Sequence, residues 1–128
     1  MTTCILVIED DLPSMTLVRY LLDSAGYRTI FAESGQDGAQ KAVDASPDLI
    51  LCDLQMPIWS GYDVVRHLKT HPAWRRVPII AVTASAMTGD REEVLAAGFD
   101  GYISKPIVPE WFVAEIEAFL PRDACYCP

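Results

Sequence analysis

The residues of this sequence that could do chemistry stand directly after short apolar runs. They are Glu9, Asp10 and Asp11 after residues 5–8, Asp53 after residues 49–52, Thr83 after residues 79–82, and Lys105 just beyond Tyr102-Ile103. Several carboxylates held close together either take up protons or bind a hard cation, and Mg²⁺, which prefers oxygen ligands, fits best. An ionised carboxylate is also a nucleophile toward phosphorus once a metal ion and a basic side chain offset its charge. If these residues meet, the sequence predicts phosphoryl chemistry at Asp53, with Lys105 as the basic group and Thr83 as a hydroxyl donor.

The elements between these residues indicate how they could meet. Residues 5–8, 49–52 and 79–82 are unbroken apolar runs, the pattern of strands covered on both faces. Segments with helical spacing of apolar residues separate them, beginning with Leu17, Val18, Leu21 and Leu22. Strands that alternate with helices favour a mainly parallel sheet with helices on both faces. Because the carboxyl ends of parallel strands lie at one edge, the polar residues are expected to converge there.

Each of these residues has an ordinary structural explanation when it is taken alone. An acidic trio after a strand is more often a solvated loop or a helix cap, and a single lysine usually lies on the surface. Thr83 taken alone is more often a plain strand residue. The predicted convergence of all of them at one edge is what favours a functional site.

Composition limits the alternatives further. The 128 residues suffice for one domain, and 18 acidic against 10 basic residues give a net charge of −8, which disfavours direct binding of nucleic acid. We find no apolar run of membrane-spanning length and no signal peptide, so we expect no membrane contact and a cytoplasmic location. Cys4 and Cys52 lie in apolar runs and are expected to be buried, whereas Cys125 and Cys127 lack the spacing of a zinc site. The role of the latter two stays open.

Five motifs, in order along nearly the whole chain, resemble those of the receiver domain of bacterial two-component response regulators, the CheY-like fold. They are Ile5-Leu6-Val7-Ile8 with Glu9-Asp10-Asp11, residues 47–53, Asp53-Leu54-Gln55-Met56-Pro57 with Gly61, Ala81-Val82-Thr83-Ala84, and Tyr102-Ile103-Ser104-Lys105-Pro106. The resemblance implies a flavodoxin-like, doubly wound α/β fold, with a five-stranded parallel sheet of order 2-1-3-4-5 and five helices on its two faces. We expect the domain to span residues 1–121, followed by a short tail at 122–128.

The resemblance also implies a role for the acidic residues. Asp53 would be the phosphoacceptor and would receive its phosphoryl group from a phosphohistidine on a histidine kinase or a histidine phosphotransfer protein. Asp10 would bind Mg²⁺ directly and Glu9 through water, and Asp53 and the main-chain carbonyl of Gln55 would complete the protein ligands. Asp11 falls just past the acidic pair and is not expected to be a ligand.

The remaining motif residues would bind the phosphoryl group or respond to it. Lys105 would bind it, directed by a cis peptide bond before Pro106. Thr83 and Tyr102 resemble the family's switch pair, in which the hydroxyl moves toward the new phosphoryl oxygens and the aromatic ring turns into the vacated space. The surface that changes in relatives consists of the fourth helix, the fifth strand and the fifth helix, here residues 90–120, and a downstream protein would bind there.

Several aromatic side chains and both histidines lie outside these motifs. Trp111 and Phe112 are adjacent on the last predicted helix and cannot share one face, so either one is an exposed partner anchor or both are partly buried. Trp59 and Trp74 are either contact residues or packing residues. His67 and His71 are expected to be ordinary surface residues.

More than one function is compatible with this pattern. We expect a stand-alone signalling switch, monomeric or weakly dimeric, that is not an enzyme beyond promoting its own phosphorylation and slow dephosphorylation, with Gln55 and Ser85 lining the route for water. A phosphoryl sink and a receiver excised from a hybrid kinase are alternatives. A phosphohydrolase of the haloacid-dehalogenase type needs a second Asp two residues after the nucleophile, where this sequence has Gln55. A flavin or nucleotide carrier needs a phosphate-binding loop after the first strand, where the acidic residues stand.

Overall fold

A computed structural model describes residues 3–54, 56, 58–70, 77–83, 90–105 and 107–120. Strands and helices alternate along the chain. The strands are β1 (Cys4–Ile8), β2 (Arg28–Ala32), β3 (Leu49–Asp53), β4 (Ile79–Thr83) and β5 (Gly101–Ser104). The helices are α1 (Leu12–Ser24), α2 (Gly35–Ala45), α3 (Gly61–Lys69), α4 (Asp90–Ala97) and α5 (Pro109–Glu117).

The five strands form one sheet of order β2-β1-β3-β4-β5, and every neighbouring pair is parallel. This confirms the predicted topology. The strands β1, β3 and β4, whose sequences are unbroken apolar runs, occupy the three central positions and are buried along their whole length. Because the strand order reverses between β1 and β3, a crevice opens at their carboxyl ends.

Alternating residues of the central strands supply two separate hydrophobic cores, one on each face of the sheet. Leu6, Ile50 and Ile79 belong to the core on the side of α2, α3 and α4. Ile5, Leu49 and Ile80 belong to the core on the side of α1 and α5. Both faces are therefore covered, which explains why these strands are uniformly apolar and not alternating.

Polar caps begin the helices that follow the first three strands, at the edge where the polar residues were predicted to meet. The Asp11 carboxylate accepts a hydrogen bond from the backbone N–H of Ser14 at 3.0 Å, and Ser34 caps α2 in the same way. Ser60 and Asp63 form a reciprocal capping box at the start of α3. These caps fix the points where the chain leaves the carboxyl ends of β1, β2 and β3.

The sequence left open which of two adjacent aromatic residues on α5, Trp111 or Phe112, is exposed, and the structure answers this. Phe112 is fully buried in the core under α5, whereas Trp111 is 65% exposed. Cys4 and Cys52 are buried as predicted. In the described ranges no helix combines the length and the apolar character needed to cross a membrane.

Candidate functional site

Asp53 is the last residue of β3 and is held in place by the sheet. It pairs with Val82 of β4, and it is only 7% exposed although it carries a carboxylate. The sequence predicted that the strand stops at this residue, and the structure includes Asp53 itself in the strand. An acidic side chain at the end of a central strand is thereby directed to the carboxyl edge on a rigid base.

Two further carboxylates lie beside Asp53. Glu9 and Asp10 follow β1, the neighbouring strand, and oxygen atoms of Glu9, Asp10 and Asp53 lie within 4.8 Å of one another. Glu9 is buried and Asp10 is exposed to solvent. Three carboxylate oxygens at this spacing, one of them reachable from solvent, form a donor set that fits a hard divalent cation.

Asp11 has a different role from its two acidic neighbours. Its Oδ2 accepts hydrogen bonds from the backbone N–H of Ser14 at 3.0 Å and from its Oγ at 2.7 Å. These bonds, with the Ser14 hydroxyl as the larger cause, lower the pKa of Asp11. The Asp11 backbone N–H in turn donates to Glu9 Oε1 at 3.3 Å. Asp11 thus caps α1 and supports the turn that presents Glu9 and Asp10, as expected for a residue outside the ligand set.

Lys105 brings a positive charge into the carboxylate cluster from the opposite side. Its Nζ lies 3.2 Å from both carboxylate oxygens of Glu9 and 3.6 Å from Oδ2 of Asp53. The backbone N–H of Lys105 donates to the carbonyl of Thr83 at 2.7 Å, so the lysine is anchored to the end of β4. One ammonium group therefore faces two buried carboxylates and offsets only part of their charge.

The buried position of Glu9 changes its acidity. Burial, and secondly the negative charge of Asp53, raise the pKa of Glu9 from 4.5 to about 7, and the nearby Lys105 opposes this rise. When nothing but Lys105 balances the cluster, the protonated form of Glu9 is therefore favoured up to a higher pH than in an exposed glutamate. A cation bound to these oxygens would favour the ionised form, so the site gains most from a cation at or above neutral pH.

Gly61 allows the chain to pass close to the main chain of Asp53. A Cβ atom at this position would lie 2.6 Å from the Asp53 carbonyl oxygen and 2.9 Å from Cα of Leu54. The Gly61 backbone N–H donates to the carbonyl of Leu54 at 3.0 Å. The start of α3 is therefore packed directly on the residue that carries the central carboxylate.

Thr83 and Tyr102 lie on adjacent strands near the same edge. Thr83 ends β4 and is buried, and Tyr102 of β5 pairs with Ala81, two residues before Thr83. Since alternate strand residues share a face, Thr83, Ala81 and Tyr102 belong to one face of the sheet, the one covered by α4. The ring of Tyr102 is half-buried against the core on that face.

The structure therefore brings together most of the predicted site residues. Glu9, Asp10, Asp53 and Lys105 form one cluster, and Thr83 is joined to it through the backbone of Lys105. Other predictions fall outside the described residues: the carbonyl of Gln55, the peptide bond before Pro106, and Ser85, His71, Trp74, Cys125 and Cys127.

Trp59 and His67 contact each other. Their rings lie at a centroid distance of 5.4 Å, with His67 exposed on α3. Trp59 is half-buried against the core, which favours packing over partner contact for this residue.

The contributions of two residues to the site, Asp11 and Gly61, were missed in the sequence analysis. The acidic trio was considered as a possible helix cap, but the separate role of Asp11 was not assigned. A signal for it was present, because an Asp three residues before Ser14, with a proline between them, is typical of the start of a helix. The close approach of Gly61 to Asp53 had no local signal, because it depends on how α3 packs over the end of β3.

Comparison with known proteins agrees with this fold. Residues 5–117 match the response regulator receiver domain family. The polar-differentiation response regulator DivK of Brucella ovis is 42% identical over 120 residues, which is 94% of this chain and 98% of that protein.

Solved structures of receiver domains and response regulators have the same fold as this chain. Chemotaxis response regulator CheY4 of Vibrio cholerae superposes with a TM-score of 0.89 at 26% identity, covering 94% of this chain and 100% of that one. The receiver domain of a Pseudomonas aeruginosa sensor histidine kinase, with a magnesium ion coordinated in its active-site cleft, superposes with a TM-score of 0.85 at 34% identity, covering 93% and 98%. The chain belongs to the response regulator receiver domain family, as its motifs indicated, and is a receiver domain of two-component signalling.

Proposed function

We propose that this receiver domain works as a phosphoacceptor switch in which Asp53 carries the phosphoryl group. The observation that carries the proposal is the placement of Asp53 at the end of β3, where Lys105 Nζ lies 3.6 Å from its Oδ2 and carboxylate oxygens of Glu9 and Asp10 lie within 4.8 Å. A nucleophilic carboxylate and the phosphoryl group that it attacks are both negatively charged, so nearby positive charge must offset their repulsion. Lys105 supplies one such charge, and the acidic pair can hold a cation that supplies the other.

In the proposed reaction an oxygen of the Asp53 carboxylate attacks the phosphorus of a phosphohistidine on a kinase or phosphotransfer protein. A P–O bond to Asp53 forms while the P–N bond breaks, and the imidazole nitrogen leaves with the electron pair of that bond. Lys105 contacts Glu9 and Asp53 in this structure, and its ammonium would turn to the phosphoryl oxygens as their negative charge adds to that of the cluster. The rigid end of β3 holds the nucleophile in place.

Glu9, Asp10 and Asp53 are the residues proposed to hold Mg²⁺, together with the main-chain carbonyl of Gln55. When bound, the ion would neutralise charge on the phosphoryl oxygens. The Pseudomonas aeruginosa receiver with its magnesium ion supports the choice of metal. The exposed Asp10 gives the ion access from solvent, and Asp11, whose carboxylate accepts hydrogen bonds from Ser14, is not proposed as a ligand.

Thr83 and Tyr102 are proposed to convert phosphorylation into a change of surface. Thr83 is buried at the end of β4, and the Lys105 N–H binds its carbonyl, so a shift at Lys105 is transmitted to Thr83. Tyr102 lies on the same face of the sheet and is half-buried, which leaves room for a more buried position of its ring. The change would reach α4, β5 and α5, where a downstream protein would bind.

Several finer points of the prediction belong to the same proposal. The domain is proposed to extend to residue 121, because Leu120 is still buried in the core under α5. Slow loss of the phosphoryl group to water and a role as a phosphoryl sink are compatible with the same site. The phosphohydrolase alternative is disfavoured because Gln55, which has no acidic group, follows the nucleophile by two residues. The cytoplasmic location and a monomeric or weakly dimeric state stay predictions.

Intact-mass measurement after incubation with acetyl phosphate, with and without Mg²⁺, tests the proposal. We expect a phosphoryl adduct on the wild-type chain that requires Mg²⁺ and is absent from Asp53→Asn. The matched control is Asp11→Asn, which also changes an acidic residue to its amide near the cluster. Because asparagine caps helices as well as aspartate does, this control should fold and keep the adduct. An adduct that persists in Asp53→Asn, or a folded wild type that forms none with Mg²⁺, contradicts the proposal.

A further inference from the structure

The turn between β3 and α3 returns to the residue that carries the central carboxylate. The Gly61 backbone N–H donates to the carbonyl of Leu54 at 3.0 Å, and a Cβ atom at Gly61 would lie 2.6 Å from the Asp53 carbonyl oxygen. Gln55, whose main-chain carbonyl is a proposed Mg²⁺ ligand, belongs to the same segment of sequence. The path of the main chain through this turn therefore bears on metal binding as well as on Asp53.

Ile58, near the end of the turn, has an unfavourable backbone conformation. Its φ is 68°, in the left-handed region, where a β-branched residue is a genuine outlier. Its side chain is 84% exposed, so burial of Ile58 itself does not offset the cost. Glycine or asparagine would adopt this conformation more easily. Contacts made by neighbouring residues must therefore impose it.

Trp59, the next residue, makes such contacts with two helices. A Cβ atom at Gly35, the first residue of α2, would lie 2.7 Å from Cβ of Trp59 and 3.0 Å from its carbonyl oxygen. The start of α2 is thus packed directly on the main chain of the turn. The Trp59 ring contacts the His67 ring of α3 at a centroid distance of 5.4 Å and packs against the core on that side of the sheet.

We propose that Trp59 is a positioning residue for the metal and phosphoryl site. Its contacts with Gly35 and with α3 hold Ile58 in the left-handed conformation and so hold the path of the chain beside Asp53. Trp59 acts through the main chain and not through contact with the reacting atoms. The inference rests on the proposed function, because the site that is positioned is the proposed Mg²⁺ site.

Calorimetric titration of the full chain with Mg²⁺ tests the proposal without a phosphoryl donor, at a temperature where every variant is folded by circular dichroism. Trp59→Ala should weaken Mg²⁺ binding by about tenfold, and Trp59→Phe, which keeps an aromatic ring, should stay within about twofold of the wild type. The matched control is Tyr62→Ala, because Tyr62 is also half-buried against the same core and its ring contacts Phe99. Unchanged affinity in Trp59→Ala, or an equal loss in Tyr62→Ala, would overturn the proposal.

Two glycine variants test the same contact with Trp59 in place, and they serve if Trp59→Ala does not fold. Gly35→Ala places a methyl group against Trp59 and should also weaken Mg²⁺ binding. Gly101→Ala creates a comparable close contact with the ring of Phe119, at the amino end of β5, and should leave Mg²⁺ binding unchanged. Equal effects of the two substitutions on Mg²⁺ affinity would count against a role of the Gly35–Trp59 contact and overturn the proposal.

A substitution at Ile58 tests whether the strained turn is what Trp59 holds. Asparagine adopts the left-handed conformation more readily than isoleucine, so Ile58→Asn should restore Mg²⁺ affinity when it is added to Trp59→Ala. A residue that only fills space in the core would not be replaced by a change in an exposed side chain. No recovery in the folded double variant would overturn the proposal.

Adduct formation from acetyl phosphate separates this inference from the proposed function. In Trp59→Ala the adduct should form more slowly than in the wild type at low Mg²⁺ and at nearly the wild-type rate at saturating Mg²⁺, whereas an equal reduction at all Mg²⁺ concentrations would overturn the positioning role. If the wild type forms no adduct but Trp59→Ala still weakens Mg²⁺ binding, the positioning role stands and the phosphoacceptor role fails. If the adduct forms and Trp59→Ala binds Mg²⁺ normally, the positioning role fails alone.

Discussion

The charge balance around Glu9 predicts an unusual dependence of stability on pH. Glu9 is only 3% exposed and lies beside Asp53, and its pKa is raised to about 7 in the folded chain from 4.5. Between these two values the folded protein binds a proton at Glu9 that the unfolded chain has lost. Stability must therefore fall as pH rises through this window, the opposite of the usual behaviour of a carboxylate in an ion pair.

The size of the effect follows from the two pKa values. Well below pH 4.5 the charge of Glu9 affects stability little, because its carboxyl group is protonated in both states. Between about pH 5 and pH 8 the folded state loses roughly 2 to 3 kcal/mol of stability through this one group. Mg²⁺ binds the ionised oxygens, so it should remove most of this loss.

Urea unfolding of the wild type and of Glu9→Gln, with EDTA present, measures the effect. Glutamine keeps the shape of the side chain and cannot ionise, so the variant should gain on the wild type by roughly 2 to 3 kcal/mol between pH 5 and pH 8. Titrating groups outside the cluster of Glu9, Asp53 and Lys105 act equally in both proteins and cancel in the difference. A difference between the two proteins that does not change with pH, or that changes in the opposite direction, would refute the reasoning.

Three further predictions concern the supports of the site. Gly61→Ala places a methyl group 2.6 Å from the Asp53 carbonyl oxygen. We therefore expect the free energy of unfolding to fall by about 1 to 3 kcal/mol and the phosphoryl adduct to form more slowly. If neither quantity changes, the close packing of Gly61 on Asp53 is contradicted. Asp10→Asn should weaken Mg²⁺ binding by about tenfold or more in calorimetry, whereas Asp11→Asn should leave it unchanged, and the reverse order would exchange their roles. Phe112→Ala should lower the free energy of unfolding in urea by about 3 to 5 kcal/mol, because its ring is fully buried. Trp111→Ala, at an exposed position, should change it by no more than about 0.5 kcal/mol. Similar losses for the two variants would show that α5 is rotated from the position described.

The fold and the convergence of the site could be predicted from sequence because both follow from the pattern of the strands. Uniformly apolar runs such as residues 49–52 specify central parallel strands, and parallel strands bring their ends to one edge. Asp53 and Glu9 each follow such a run, and Lys105 follows the short parallel strand Gly101–Ser104, so their meeting required no knowledge of helix packing. The order of the strands came from the family resemblance, since the runs alone do not specify which neighbours pair.

The properties that escaped prediction depend on packing between elements that are distant in sequence. Which of Trp111 and Phe112 is buried depends on the rotation of α5 against the sheet, and the adjacent pair gives no preference. The approach of Gly61 to Asp53 depends on where α3 begins over β3. The acidity of Glu9 depends on its depth beside Asp53 and Lys105, a quantity that no local pattern contains.

Glu9 also shows why this edge of the molecule is better explained by function than by stability. A carboxylate that is 3% exposed, beside a second buried carboxylate and with one lysine between them, lowers the stability of the ion-free fold above neutral pH. A neutral side chain of the same shape would pack equally well and would avoid that cost. Elsewhere the described chain follows the ordinary rules: apolar central strands, polar caps at the starts of α1, α2 and α3, and charged side chains that are at least partly exposed. A departure from those rules that a bound cation would reverse is expected where a fold has been adapted to bind that cation.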